Sequence, residues 1–190
     1  NLESWAERYT DKWSSCTRCV LHRHTRTRPI MRGSIPFKVL LVGEAPGESE
    51  DVLGYPFVGP AGKLLNYILS RALVCRICVP GDVSSVSVYG GEDNMRSRNG
   101  CDNCSGSGLV PFIITNCVVC TPPRGGDGKI LQPSNEEKQE CRGHIAELVS
   151  KFKPPLMVAM GQHANASLKK WMKEEYVHVA HPAAILRYPQ

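Results

Sequence analysis

The stretch GEAPGESEDVLGYPFVGPAGKLL, residues 43–65, gathers four carboxylates, Glu44, Glu48, Glu50 and Asp51, among glycines and prolines. Carboxylates are general-base candidates, able to take a proton from water. Four on one short loop cannot all serve one reaction. Gly43 and Gly47 let backbone amides approach a ligand closely, while Pro46 and Pro56 restrict the loop. Phe57 offers a flat apolar face that can stack on a planar ring. Taken alone, the stretch is equally well a solvated acidic turn. Two more polar residues follow apolar runs, Asn116 in TNCVVC and His181 in HPAAILR. Without further context an Asn there is a turn former, and a lone His is structural or solvated.

Cysteine is the other chemistry-bearing residue. Eight of nine fall into four pairs, Cys16/Cys19, Cys75/Cys78, Cys101/Cys104 and Cys117/Cys120, and Cys141 stands alone. Two thiols three residues apart can turn toward one ion, so such pairs point to metal or redox chemistry before disulfides. The odd count argues against a closed disulfide framework. Cys75/Cys78 and Cys101/Cys104 have the spacing CxxC-x22-CxxC, that of a four-cysteine zinc site. They flank a polar, glycine-rich segment, about residues 75–108, with no apolar core of its own. It reads as an insertion into a domain covering residues 1–190, and free or redox-active thiols are the alternative to zinc.

These residues need elements to hold them. Four apolar runs, 37–45, 111–119, 156–161 and 176–183, read as strands buried on both faces of a parallel sheet. PAGKLLNYILSRAL reads as a helix with Pro60 in its first turn and Ala61, Leu64, Leu65, Ile68 and Ala72 inward. SNEEKQECRGHIAELVSKF opens on a Ser134/Glu137 capping box and turns Cys141, Ile145, Leu148, Val149 and Phe152 inward. HANASLKKWM reads as a third helix. The alternation predicts an α/β fold, a three-layer sandwich with a central, mostly parallel four-stranded sheet flanked by helices. Ligands of such sheets sit beyond the carboxyl ends of the strands, where GEAPG, TNCVVCTPP and HPAAILR lie.

The order CTRC, VLLVGEAPGESEDVLGYPFVGPAGKLLNYIL, ITNCVVCTPP, EEKQEC, VAMGQHA, HPAAILR resembles the iron–sulfur uracil-DNA glycosylases, the family 4 branch of the uracil-DNA glycosylase superfamily. The match spans nearly everything outside 75–108. It implies that the 43–65 loop grips a uracil flipped out of DNA, with Phe57 stacking on the ring and the backbone of Gly43 and Ala45 contacting its carbonyls. Asn116 would read the uracil amide edge, a pattern cytosine cannot match. His181 would donate to uracil O2 as charge develops on the leaving base. Glu44 is favoured for orienting water or stabilising the sugar cation, with Glu50 either a second catalytic carboxylate or a brace for the loop. From residue type, Ile185 or Leu186 can wedge into the vacated stack while Arg187 meets phosphate. Some iron–sulfur relatives trap uracil through a histidine after the second strand; CTPPRGGDGKILQP has none, so hydrolysis with turnover is expected.

By the same resemblance Cys16, Cys19, Cys120 and Cys141 match the ligands of a [4Fe–4S] cluster. Arg23, Arg26 and Arg28 stand beside it as phosphate contacts, and Cys117 reads as a small core residue. An insertion thiol or Cys117 exchanging with a proposed ligand remains an alternative.

Bulk properties constrain less. A chain of 190 residues can bury a real core. The 23 Lys+Arg against 18 Asp+Glu permit a nucleic-acid partner without requiring one. The sequence has no apolar run long enough for a membrane span and no apolar signal core near Asn1, so an intracellular location without a membrane partner is expected. The absence of an initial Met allows a fragment of a longer chain. The expected partner is uracil-containing DNA, single-stranded or a mismatched duplex, bound by a monomer. The rival readings are a non-catalytic DNA-binding module of the same fold within a larger replication or repair protein, and a redox protein built around the cluster.

Overall fold

The computed structural model describes residues 1–75, 101, 104 and 108–187. Most of the expected insertion, Cys78 included, lies outside the described residues.

Five strands form one sheet: β1 (Arg32–Gly33), β2 (Val39–Gly43), β3 (Phe112–Asn116), β4 (Leu156–Met160) and β5 (Val177–Val179), in the order β1-β3-β2-β4-β5. The four expected runs, β2 to β5, pair parallel with one another, but β5, at the sheet edge, is exposed at all three positions rather than buried on both faces. The unexpected β1 pairs antiparallel on the β3 edge. Two residues carry no alternation to read. Gly33 sits there at φ 132, and a Cβ would meet the Phe112 carbonyl oxygen at 2.0 Å.

Strands β2 and β3 are buried at every position, as their continuous apolar character requires. Alternate residues feed two cores. Leu40, Val42, Ile113, Met157 and Ala159 pack on one face with Tyr9, Trp13, Ile145, Leu148 and Leu168. Val39, Leu41, Phe112, Ile114 and Met160 pack on the other with Leu65, Leu69 and Phe57. The first core draws on α1 (Leu2–Ser14), α5 (Gly143–Phe152) and α6 (Gln162–Trp171), the second on α3 (Pro60–Ala72), which makes the three layers.

The helices differ from expectation in several respects, α1 itself being unexpected. The buried face of α3 centres on Leu65 and Leu69 with Gly62, Asn66 and Ser70, while Ile68 is exposed. The helix expected over 134–152 is two, α4 (Asn135–Cys141) and α5, sharing Arg142 as cap. At the joint a Cβ on Gly143 would lie 3.1 Å from the Trp13 ring, so α1 packs tightly there. The Ser134/Glu137 box forms as read, with Ser134 N donating to Glu137 Oε2 at 2.7 Å and Glu137 N to Ser134 Oγ at 3.1 Å. Two short helices, α2 (Glu48–Leu53) and α7 (Pro182–Arg187), replace what read as loop. No described helix is long and apolar enough to cross a membrane.

Candidate active site at the carboxyl edge of the sheet

Parallel register puts Gly43 directly beside Asn116, so the ends of β2 and β3 open onto the same space. A Cβ on Gly43 would meet Asn116 Oδ1 at 2.4 Å and Phe57 Cζ at 2.6 Å, which brings three of the expected residues into contact distance. The Phe57 and His181 ring centroids are 5.6 Å apart. A Cβ on Gly161, at the end of β4, would lie 3.0 Å from His181 Cβ. Residues from four separate chain segments therefore converge at one edge.

The Asn116 side chain is 1% exposed, and neither its Oδ1 nor its Nδ2 has a hydrogen-bond partner. Burying an amide without partners is costly. A planar ligand that accepts from Nδ2 and donates to Oδ1 satisfies both atoms at once. Phe57 is held beside it in a left-handed conformation, φ 57, uncommon for a bulky residue. Arg32 secures that turn, with Nε donating to Pro56 O at 3.0 Å and a terminal nitrogen to Phe57 O at 3.3 Å. Gly62 is needed beneath it, since a Cβ would fall 1.8 Å from Phe57 O.

His181 follows β5. Its Nδ1 accepts from Ala183 N at 3.1 Å, so in the neutral ring Nε2 carries the proton and is the available donor. Burial holds its pKa below the usual histidine value; Glu44 opposes that shift, Arg187 reinforces it, and Glu50 opposes it.

The four loop carboxylates separate by environment. Glu44 is half-buried against Lys138 of α4, with Oε1 2.7 Å from Nζ and side-chain exposures of 19% and 11%. His163 Nδ1 stands 3.8 Å from the same oxygen. Glu48 is exposed and paired with Arg124 at 2.6 Å. Asp51 Oδ1 accepts from Thr25 Oγ1, Arg26 N and Thr27 N, fastening the 25–27 segment to α2. Glu50, expected as a second catalytic carboxylate or a brace, has the geometry of a brace. Its Oε1 accepts from Val58 N at 2.8 Å and Gly59 N at 2.9 Å, and its Oε2 from Gly47 N at 3.2 Å. Both oxygens are engaged by backbone because α2 turns the side chain back across the loop. Ala45, half-buried, follows Glu44 in the loop leaving β2.

Sequence reasoning missed Lys138, Arg32, Gly62 and Gly161. Lys138 had a signal, because it precedes the inward-facing Cys141 by three residues and so shares its helix face. Beside the Glu44–Lys138 pair lies a cleft of about 370 Å³ lined by Lys138, His163, Ser167, Lys170 and Trp171 among others. Ile185 and Leu186 of α7 are 45% and 48% exposed, and Arg187 beside them is exposed.

Cys16 and Cys19 follow α1, Cys120 follows β3 and Cys141 ends α4. Burial pushes the Cys141 thiol up to about 12, and the nearby Cys120, Cys19 and Cys16 add to that rise. Burial also raises Cys120, against a hydrogen bond from Arg28, and raises Cys19. The four thiols thus lie within electrostatic reach of one another, a donor set suited to a cationic metal centre that would favour their thiolate forms. Arg28, half-buried, stands close enough to Cys120 to lower its thiol pKa, and Arg23 and Arg26 are exposed. Cys117 is fully buried with its thiol pushed up to about 12 by burial, as a core residue should be. Cys75, Cys101 and Cys104 form a second group, their Sγ atoms all within 4.8 Å of one another, and could hold a metal ion.

The family model described as the uracil DNA glycosylase superfamily matches residues 31–190. The chain is 29% identical to a type-4 uracil-DNA glycosylase of Pyrobaculum aerophilum, covering 92% of this chain and 81% of the relative. It is 27% identical to one of Archaeoglobus fulgidus, covering 93% and 80%. Against one of Saccharolobus solfataricus it is 26% identical, covering 85% and 58%. The matched span runs from β1 to the carboxyl terminus and takes in every strand end that shapes the Asn116 pocket, so the chain belongs to the uracil DNA glycosylase superfamily.

Proposed function

We propose that this protein removes uracil from DNA by hydrolysing the N-glycosidic bond, leaving an abasic site. The observation that carries this reading is the orphaned Asn116 amide, packed against Phe57 and Gly43 at the end of β3. Uracil presents a carbonyl oxygen and an N–H on one edge, which pair with Nδ2–H and Oδ1. Cytosine presents an amino group and a bare nitrogen to the same edge and leaves both contacts repulsive.

The target nucleotide must leave the stack to reach this pocket, at a cost of about a few kcal/mol that is smallest in single strands or at a U·G mismatch. Phe57 stacks on the extruded ring, and the Gly43–Ala45 backbone borders its carbonyls. As the C1′–N1 bond breaks, the electron pair moves onto the base and the negative charge spreads to O2. The Nε2–H of neutral His181 donates there, an interaction that strengthens toward the transition state. Glu44 faces the sugar side, where its carboxylate orients water or offsets the positive charge on the sugar; Lys138 fixes its rotamer. The exposed Ile185 and Leu186 fill the vacated stack, and Arg187 meets the backbone phosphate.

Cys16, Cys19, Cys120 and Cys141 would hold a [4Fe–4S] cluster, which supplies no step of this reaction. Bound there, it would tie the segment after α1 to β3 and α4, and so brace the helix that carries Lys138.

Incubation with uracil-containing single-stranded and U·G duplex oligonucleotides, followed by quantification of free uracil, tests the proposal. His181→Ala should lower the rate by about 10²–10³, the usual effect of removing one donor to developing negative charge. DNA binding without base release would point to a non-catalytic module, and an undiminished rate in His181→Ala would remove that residue from the chemistry.

A further inference from the structure

The second cysteine group is remote from the carboxyl edge. Cys75 lies just beyond the carboxyl end of α3, whose other end carries Gly62 beneath Phe57; 13 helical residues span about 20 Å. Cys101 and Cys104 precede β3, at the opposite end of that strand from Asn116. The chain leaving α3 and the chain entering β3 run antiparallel at this point. Val74 bridges Leu109, Cys75 N donates to Gly108 O at 2.8 Å, and Val110 N donates to Leu73 O at 2.7 Å. The thiols close the same junction. Cys75 and Cys104 are 0% and 1% exposed, and Cys75 Sγ lies 3.8 Å from Cys101 Sγ.

Tetrahedral thiolates at the zinc–sulfur distance of about 2.3 Å have their sulfurs about 3.8 Å apart, the separation seen between Cys75 and Cys101. A disulfide would use two of the three sulfurs and leave the third without a reason to converge. Three sulfurs within 4.8 Å are what one small ion requires.

We propose that Cys75, Cys101 and Cys104 bind a zinc ion that clamps the base of the segment between α3 and β3. Binding exchanges the thiol protons for the metal, and the ion's charge offsets the buried thiolates. The clamp crosslinks residues 26 positions apart and pins the carboxyl end of α3 to the start of β3. It is structural, and it is independent of the uracil chemistry proposed above and of the amino-terminal cysteine group.

The test is elemental analysis of the whole protein as purified, alongside Cys104→Ser. The wild type should contain about one zinc per chain, because one set of converging thiolates holds one ion. The variant should lose it while keeping its iron, its visible absorbance and its uracil release at low temperature, and should melt earlier. In case the variant does not fold, titrating the wild type with a mercurial thiol reagent should release zinc to a metal-sensitive dye before the visible absorbance bleaches. Zinc absent from the wild type, zinc retained in a folded variant, iron lost with the variant, or a Cys75–Cys101 disulfide found by mass spectrometry would each overturn the proposal.

Discussion

Asn116 and Asp51 are both buried polar residues that end or flank the same loop system, yet they are treated in opposite ways. Asp51, on the flank, accepts three hydrogen bonds from the 25–27 segment. Asn116, at the carboxyl edge, has none at all. A satisfied buried group holds the fold together, whereas an unsatisfied one is a standing cost that a ligand can relieve. The edge also collects the strained Phe57 backbone and glycines that leave room for nothing larger. The core between α1 and α5 is held instead by aromatic packing, with Trp5 stacked on Tyr9 at 5.0 Å and Trp13 edge-on to His144 at 5.5 Å. At the end of β3 an unsatisfied side-chain amide and a strained backbone meet against one another, the combination expected where a ligand rather than the protein completes the contacts.

The contrast makes its strongest prediction at Asn116. Asn116→Ala removes an amide that bonds nothing in the protein, so melting should be little changed or slightly raised. Uracil release should fall by about 10²-fold or more, because the ring edge loses both partners. Parallel thermal melts and single-turnover rates read the two effects, and a variant that melted much earlier with a proportional loss of activity would return Asn116 to the scaffold.

Glu50 sits at the edge but is bonded like the flank, so it should break the simple division. Glu50→Ala strips three amides of their acceptor and should cost about 2–3 kcal/mol in urea unfolding, in the range for charge-assisted bonds. Activity should fall because the Phe57 turn loosens. If unfolding is unaffected while catalysis collapses, Glu50 acts on substrate rather than on the loop.

Lys138 links the two regions, since α4 carries it toward Glu44 and Cys141 toward the thiol group. Lys138→Met leaves the Glu44 carboxylate without its partner, and single-turnover rates should drop by about tenfold, the scale of one misoriented catalytic group. Lys138→Arg should restore part of the loss, which a purely packing role would not predict.

The smallest effect lies in the core between α1 and α5, behind the end of β3. His144 is fully buried and burial lowers its pKa to about 4, while an unfolded histidine titrates near about 6.5. Between those values the unfolded state binds the extra proton, so His144's contribution to stability is intact above pH 6.5 and is lost as pH falls toward 4. Thermal melts across that window should show a shallower decline in His144→Gln than in the wild type. Identical slopes would mean that His144 is not the group that titrates.

Much of this arrangement was legible in the residues. The β2 and β3 runs are apolar at almost every position, which only a strand covered on both faces permits, and the parallel sheet followed from that. Strand-end position made Gly43, Phe57, Asn116 and His181 candidates, but on residue type alone they were equally turn or packing residues, and it was the family resemblance that assigned them to a base. The exposed polar helix α2 could not be read, since ESEDVL carries no apolar stripe; it forms because Glu50 bonds back to Gly47 and Gly54 adopts φ 77 at its end. The break between α4 and α5 was equally hidden, because the apolar period continues through Arg142 and only the Trp13 ring against Gly143 marks the joint.

The sequence by itself determined the layered α/β sheet, the residues available for chemistry and the existence of more than one cysteine group, because burial periodicity and residue type are local properties of the chain. Only the tertiary structure decided which of four similar carboxylates pairs with Lys138 and which is bound by loop amides, and that Cys75 meets Cys101 and Cys104. Those outcomes depend on which groups from distant segments come within hydrogen-bonding or ligand distance, and that is set by packing across the sheet rather than by spacing along the chain.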